Sequence, residues 1–301
     1  MLALEGGGRK ETKQLKEMNN SKKNGNALLL IDPQNDFCDS KGSLYVKNAE
    51  DDMQRVADFI LKNLDQIDRI SITMDSHHVV DISHVNGWCG ARGEPVNPFT
   101  LITHQDILDG KYSWTKDPIW ARNYTRELEA QPGQLKHFLW PEHTVIGTWG
   151  HNIYPVVLQA VQAWERKNGG VQGAEYVTKG SNPRTEHFGA FQAQVPIAGA
   201  PGTQPNMDLL QRLNSSSSSL FVAGEALSHC LACSISQIID LAPELAKKLV
   251  ILEDCMSNVP NPPGGPDFTQ NFPPIAARGA AMGMRFAKST DPIGQAVAAV
   301  I

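Results

Sequence analysis

From residue 27 onward short apolar runs alternate with amphipathic stretches, and that alternation predicts the fold. Ala27 to Ile31 is a continuous apolar run of strand length, Asp51 to Leu64 repeats its apolar positions at helical spacing, and Arg69 to Met74 is a second strand rich in β-branched residues. These three segments predict a βαβ unit. Further strands are predicted at Ala174 to Thr178, Leu220 to Ala223, Leu249 to Leu252 and Met284 to Ala287, with helices at Tyr154 to Lys167, Leu231 to Leu241 and Phe272 to Met282. The sum is an α/β, doubly wound, Rossmann-like and mainly parallel sheet flanked by helices. Ligands of such sheets sit beyond the carboxyl ends of the strands. Asp32, Asp75, Lys179 and Cys230 each follow a predicted strand, so all four are expected at one edge.

Three stretches depart from this rhythm. Residues 1 to 26 are polar and Lys-rich with a Gly6 to Gly8 cluster, which reads as a disordered tail. Glu5, Glu11 and Glu17 count against a mitochondrial presequence. Residues 85 to 142, rich in Pro, Gly and Trp and poor in periodicity, read as a long insertion that serves as a lid, a subunit contact or a surface elaboration. The serines 215 to 219 read as a polar spacer loop. The remainder, residues 27 to 301, is expected to be one domain carrying that insertion.

Composition narrows the function classes. With 301 residues and 41% hydrophobic content the chain can bury a full core. A net charge of −5 with scattered Lys and Arg disfavours a nucleic-acid partner, and no apolar run reaches the length of a membrane span. Five cysteines without a regular framework fit a reducing, cytoplasmic setting.

Two constellations carry chemistry. The run LFVAGEALSHCLAC, Leu220 to Cys233, reads as a buried strand that breaks at Gly224 and delivers Cys230 to the start of a helix, where unpaired amides are expected to lower a thiol pKa. Asp32 could accept the thiol proton, and Lys179 is expected to hold both groups in their charged forms. Taken singly, the ordinary readings are an inert core cysteine, a turn carboxylate and a solvated turn lysine. The second constellation is MDSHHVVDISH, where Asp75 and His77 stand two apart and so share one face of an extended segment. Asp81 and His84 follow. With His143, Asp75 and His77 would form an Asp, His, His set whose mixed oxygen and nitrogen donors suit Zn, Fe or Mn. The ordinary reading is histidines satisfied by hydrogen bonds.

The chain resembles the nicotinamidase branch of the isochorismatase-like cysteine hydrolases through LLLIDPQNDF, MDSH, WPEHTVIGTWG, YVTKG and VAGEALSHC, in that family's order and across residues 27 to 290. The resemblance implies the isochorismatase-like hydrolase fold, with Asp32 as catalytic acid/base, Lys179 as its electrostatic partner and Cys230 as nucleophile. It implies one divalent metal ion, zinc first with iron or manganese as alternatives, on Asp75, His77 and His143. His84 is a further candidate contact. It also implies a cis peptide between Glu225 and Ala226, an oxyanion hole from the amides of Ala226 and Cys230, ring packing by Phe37 and Trp140, and a homo-oligomer. The implied reaction is hydrolysis of nicotinamide to nicotinate and ammonia through a Cys230 thioester, with the metal orienting the pyridine ring.

Some features depart from the family pattern. The insertion is long, Glu225 stands where an apolar residue is more usual, and Phe188 replaces a usual tyrosine. They leave open a different small amide or carbamoyl substrate. Rival classes are dithiol chemistry at Cys230 and Cys233, which leaves Asp32, Lys179 and the metal set unexplained, and a silent scaffold. Cys233 reads better as a small apolar group one turn on, His229 as support for the turn, and Cys38, Cys89 and Cys255 as residues without a role.

Overall fold

The computed structural model describes residues 25–131, 136–169, 173–262, 265–295 and 297–298. The tail expected over residues 1 to 26 lies outside them apart from its last two residues, which are the start of a strand. In chain order the first half runs Gly25–Ile31 (β1), Asn35–Cys38 (α1), Ala49–Lys62 (α2), Ile67–Asp75 (β2), Trp88–Gly90 (β3), Leu101–Ile102 (β4), His104–Leu108 (α3), Tyr112–Trp114 (β5), Pro118–Glu129 (α4) and His137–Phe138 (β6). The second half runs Pro155–Lys167 (α5), Glu175–Lys179 (β7), Met207–Ser216 (α6), Ser217–Gly224 (β8), Ala232–Leu241 (α7), Pro243–Ala246 (α8), Leu249–Leu252 (β9), Pro273–Ala281 (α9), Arg285–Ala287 (β10) and Val297–Ala298 (β11).

The main sheet has the order β11-β10-β9-β8-β1-β2-β7. Its pairings are parallel except the short antiparallel pair of β10 with β11. After β1 the chain winds outward through β2 to β7, then returns to pair β8 with the opposite edge of β1. The order therefore reverses between β1 and β8, the place where open sheets leave a crevice beyond their carboxyl ends.

Strand β1 explains why the sheet is covered on both faces. Leu28 and Leu30 pack with α2 and α5 through Met53, Ile60, Val161 and Trp164, while Ala27, Leu29 and Ile31 pack with α6 and α7 through Leu209, Leu213, Ile235 and Ile238. A strand buried on both faces reads as a continuous apolar run rather than an alternation, which is how Ala27 to Ile31 appears. Trp164 is fully buried, and its indole donates to the Ile67 carbonyl at 2.8 Å. That bond removes the cost of an unpaired polar atom in the core.

One expectation is corrected. The serines are not a spacer loop: Ser215 and Ser216 end α6 and Ser217 to Ser219 begin β8. The Ser216 and Ser217 hydroxyls donate back to the Arg212 and Leu213 carbonyls, capping the helix from within. Residues 85 to 142 carry short strands and helices of their own. Helix α4 starts at Asp117, whose side chain accepts from the Trp120 amide, with Pro118 in the first turn. Its apolar face, Ala121, Tyr124 and Leu128, closes a separate core with Ile82, Trp88, Ile102, Trp114 and Leu139.

Gly224 shows how tightly the crevice is built. It has φ 125°, and a Cβ there would stand 2.0 Å from the Ile31 carbonyl oxygen. Gly224→Ala is therefore expected to cost on the order of 3 kcal/mol, because backbone rather than a flexible side chain must move. Urea denaturation measures it, and an unchanged midpoint would contradict this account.

Candidate active site

Four side chains from four strand ends meet at the switch point. Asp32 follows β1 directly and sits in the left-handed region at φ 45°, a conformation Asp tolerates better than most residues. Asp75 and Lys179 are the last residues of β2 and β7 and are direct partners in the sheet register. Cys230 lies beyond β8 in a single π-helical turn, Leu227–Leu231, that leads into α7. The cis peptide Glu225–Ala226 precedes that turn. The cysteine thus sits inside a wide turn rather than at the first residue of a regular helix.

Lys179 is the hub. Its Nζ lies 2.8 Å from Asp75 Oδ1, 3.0 Å from Asp32 Oδ2, 2.9 Å from the His187 carbonyl oxygen and 3.8 Å from Cys230 Sγ. All three ionisable partners are buried with it. Burial alone would lower the Lys179 pKa, but Asp32 and Asp75 outweigh it and hold the ammonium well above its ordinary range. Asp32 is fixed by Thr73, whose hydroxyl donates to Oδ1 at 2.5 Å while accepting from the Asp32 amide at 3.0 Å. Its Oδ2 lies 3.0 Å from the Lys179 ammonium without an aligned hydrogen bond, and Cys230 Sγ stands 3.8 Å from that same ammonium.

The expected lowering of the thiol and Asp32 pKa values is overturned. Burial pushes Cys230 well above the ordinary thiol range, with Lys179 pulling down and Asp32 and Asp75 pushing up. Burial likewise raises Asp32, against the pull of Lys179. A desolvated thiol facing carboxylates keeps its proton. The arrangement suits transfer of that proton to Asp32 as the sulfur attacks, rather than a standing thiolate.

The second half of the site begins at the other oxygen of Asp75. Oδ2 lies 3.1 Å from His77 Nε2 and 3.4 Å from His143 Nε2. His77, His84 and His143 are buried and offer nitrogens within 4.8 Å of one another. His77 Nδ1 faces Asp81 Oδ2 at 3.1 Å, and His143 Nδ1 lies 2.9 Å from the Pro141 carbonyl oxygen, so each ring is oriented from behind with Nε2 turned inward. Among the described residues neither ring nitrogen of His84 has a hydrogen-bond partner, and burial with the adjacent His143 and His77 pushes its pKa to about 2. A buried, neutral imidazole with both nitrogens unpaired is costly unless something takes a lone pair. The triad His77, His84 and His143 could therefore hold a divalent cation, with Asp75 beside two of its rings and Asp81 orienting His77 from behind.

Several neighbours carry no clear sequence signal of their own. Gln34 grips Asp75 twice, accepting from its amide at 2.7 Å and donating to its carbonyl at 2.8 Å, and it also donates to the His151 carbonyl at 2.9 Å. Asp36 accepts from the Thr144 amide at 2.7 Å, beside His143. Thr73 was legible in principle as a polar residue two before Asp75 on one strand face. His187, which supplies the Lys179 carbonyl contact, was not. Phe37 packs edge-on to His143 with centroids 5.5 Å apart. Trp140 is buried in an aromatic group with Phe138 and Phe268 and the half-buried Phe188 and His229. Cys233 is a free thiol pushed to about 12 by burial.

Comparison with known proteins places these observations. No family model matches the chain. The nicotinamidase of Saccharomyces cerevisiae is 25% identical over 228 residues, covering 75% of this chain and 85% of that protein. The yeast nicotinamidase structure superposes with a TM-score of 0.57 at 18% identity, covering 87% of this chain and 99% of that one. A nicotinamidase/pyrazinamidase of Acinetobacter baumanii gives 0.55 at 18% identity, covering 90% and 99%. An L. infantum protein in complex with nicotinate gives 0.52 at 18%, covering 89% and 94%. These structures share the fold.

Asp81→Asn tests the metal reading from its supporting shell. It is expected to weaken divalent-metal affinity roughly 10- to 100-fold, read by competition with a chromophoric chelator. Unchanged affinity would remove Asp81 and His77 from the metal site.

Proposed function

We infer that this chain, from the nicotinamidase branch of the isochorismatase-like cysteine hydrolases, is a metal-dependent amidohydrolase that converts nicotinamide to nicotinate and ammonia. The observation that carries the reading is the contact of one buried lysine with Asp32, Asp75 and Cys230 beside a convergent histidine set. A bound divalent ion would supply Lewis-acid polarisation and an anchor for the pyridine ring, and zinc suits three nitrogens and one carboxylate oxygen.

In this reading Cys230 Sγ attacks the amide carbon while its proton passes to Asp32 Oδ2. Lys179 stabilises the developing charge on sulfur and on Asp32 without giving up its own proton. The amides of Ala226 and Cys230 hold the oxyanion. Protonated Asp32 then delivers its proton to the departing nitrogen, so ammonia leaves and a thioester remains. Asp32, again a carboxylate, takes a proton from water as the water attacks the thioester carbon, and the thiolate leaves and is reprotonated. Phe37 and Trp140 are the ring-packing residues. The same reading carries self-association and a cytoplasmic place in NAD salvage. Among the described residues no helix is long and apolar enough to cross a membrane.

Ammonia release from nicotinamide and a panel of small amides is the test. Cys230→Ala is expected to lose roughly a thousand-fold or more in kcat, with the variant still binding metal. Chelation is expected to abolish turnover and metal return to restore it. Turnover of another amide only, insensitive to chelation, would keep the nucleophile and reject both nicotinamide and the metal.

A further inference from the structure

One buried acid has no part in that chemistry. Glu225 follows Gly224, is fully buried, and points to the side of the sheet covered by α2, where it meets Asp52. Its Oε2 accepts from the Ser257 amide at 3.2 Å. The Ser257 hydroxyl donates to Asp52 Oδ2 at 2.5 Å, and the Ser257 carbonyl accepts from the Leu227 amide at 2.8 Å. Leu227 is the first residue of the turn that carries Cys230. Two acids from separate elements therefore hold one serine, and that serine holds the head of the nucleophile turn.

We propose that Glu225 is a positioning residue for Cys230, gripping Ser257 jointly with Asp52 so that the Leu227–Leu231 turn keeps its place over the crevice. The proposal rests on the amidohydrolase reading for its kinetic consequence, though not for its geometry. Glu225 Oε1 is buried and, among the described residues, has no hydrogen-bond partner, a setting that favours a protonated carboxyl. On the far side of Asp52, the Arg55 guanidinium donates to Asp52 Oδ1 at 2.6 Å and reaches the Asp254 carbonyl at 2.5 Å. A protonated Glu225 keeps Oε2 free to accept from the Ser257 amide while Oε1 carries the proton. Burial is the largest cause holding its pKa well above the ordinary carboxyl range, with Asp52 adding and the Ser257 amide and Arg55 opposing. The other titratable group facing it is the Cys38 thiol at the end of α1, itself raised by burial and by Glu225.

The sign follows. An acid with a raised folded pKa contributes fully below its unfolded value and loses that contribution as pH rises through the folded value. The grip therefore fails on the alkaline side, where ionised Glu225 would repel Asp52.

Three variants and two readouts decide it. Glu225→Gln keeps size, a donor and an acceptor but cannot ionise, whereas Glu225→Leu keeps size and leaves Ser257 and Asp52 without their partner. Amide hydrogen exchange of the peptide across residues 225–231 reads the turn without reference to any substrate. Glu225→Leu is expected to exchange about ten-fold faster there and to lose about ten-fold in kcat with KM little changed. Glu225→Gln is expected to match wild type at neutral pH and to keep its protection and kcat to higher pH than wild type. Should Glu225→Leu fail to fold, Ser257→Ala, which removes only the Asp52 contact, is expected to give several-fold faster exchange in the same peptide. Wild-type exchange in Glu225→Leu, or in Ser257→Ala if Glu225→Leu does not fold, overturns the proposal. So does a Glu225→Gln alkaline limb identical to that of wild type. If wild type turns over no nicotinamide, the amidohydrolase reading falls, while the exchange measurement still judges Glu225.

Discussion

The ammonium of Lys179, buried between Asp32 and Asp75, is the interaction on which the rest of the site depends. Removing a charge from water costs several kcal/mol, recovered only where partners are close and well oriented. Here the partners lie at 2.8 and 3.0 Å and the remaining donor meets a backbone carbonyl. Breaking one such pair typically costs about 3 to 5 kcal/mol because the other charge is left stranded. The sheet supplies what makes the arrangement affordable: Asp75 and Lys179 are register partners on adjacent parallel strands, so their approach follows from strand pairing rather than loop conformation.

The same carboxylate links the two halves of the site. Asp75 gives Oδ1 to Lys179 and turns Oδ2 toward His77 and His143, so charge placed among the histidines is felt at the thiol through one shared group. Burial would raise Asp75, but His77 and Lys179 outweigh it and keep the group well below the usual carboxylate range. Asp32, with the same lysine but without a histidine, moves the opposite way. Two aspartates in one cavity thus differ in role because Asp75 faces both Lys179 and His77 whereas Asp32 faces Lys179 alone. Asp75 is a standing anion, and Asp32 is an acceptor within reach of a proton.

Most of this was legible at the level of elements, and less at the level of energies. Asp32, Asp75, Lys179 and Cys230 could be placed together because each ends or follows a strand of one parallel sheet. The chemistry of the thiol could not, because a pKa depends on how much water the fold removes. The helix-terminus argument for Cys230 gives the opposite sign from burial, and burial wins. His84 stayed ambiguous beside Asp81 because its role depends on both of its ring nitrogens lacking a partner in the fold. The serine run was misread because its composition is that of a loop, while its hydroxyls satisfy helix carbonyls and its backbone joins β8. In α4, the Pro, Gly and Trp content of the surrounding segment hid a short helical repeat of Ala121, Tyr124 and Leu128.

That helix bears on how the lysine is held. The Tyr124 hydroxyl accepts from the Glu186 amide at 3.2 Å, Glu186 Oε1 accepts from the His187 amide at 2.8 Å, and the His187 carbonyl accepts from Lys179 at 2.9 Å. At the surface, Arg184 pairs with Asp117 at 2.7 Å and stacks over Trp120, whose indole donates to the Arg184 carbonyl at 2.7 Å. The segment after β7 is therefore fastened to the insertion at both of its faces, the buried one through Tyr124 and the exposed one through Trp120. The exposed ion pair adds little by itself, since solvent screens it. The buried chain matters more, because each of its members lies where an unpaired polar atom would be costly, and its last bond ends on the ammonium that orders Asp32, Asp75 and Cys230. A stretch that composition suggests is ornament is, by its contacts, part of the frame that keeps Lys179 between its two carboxylates.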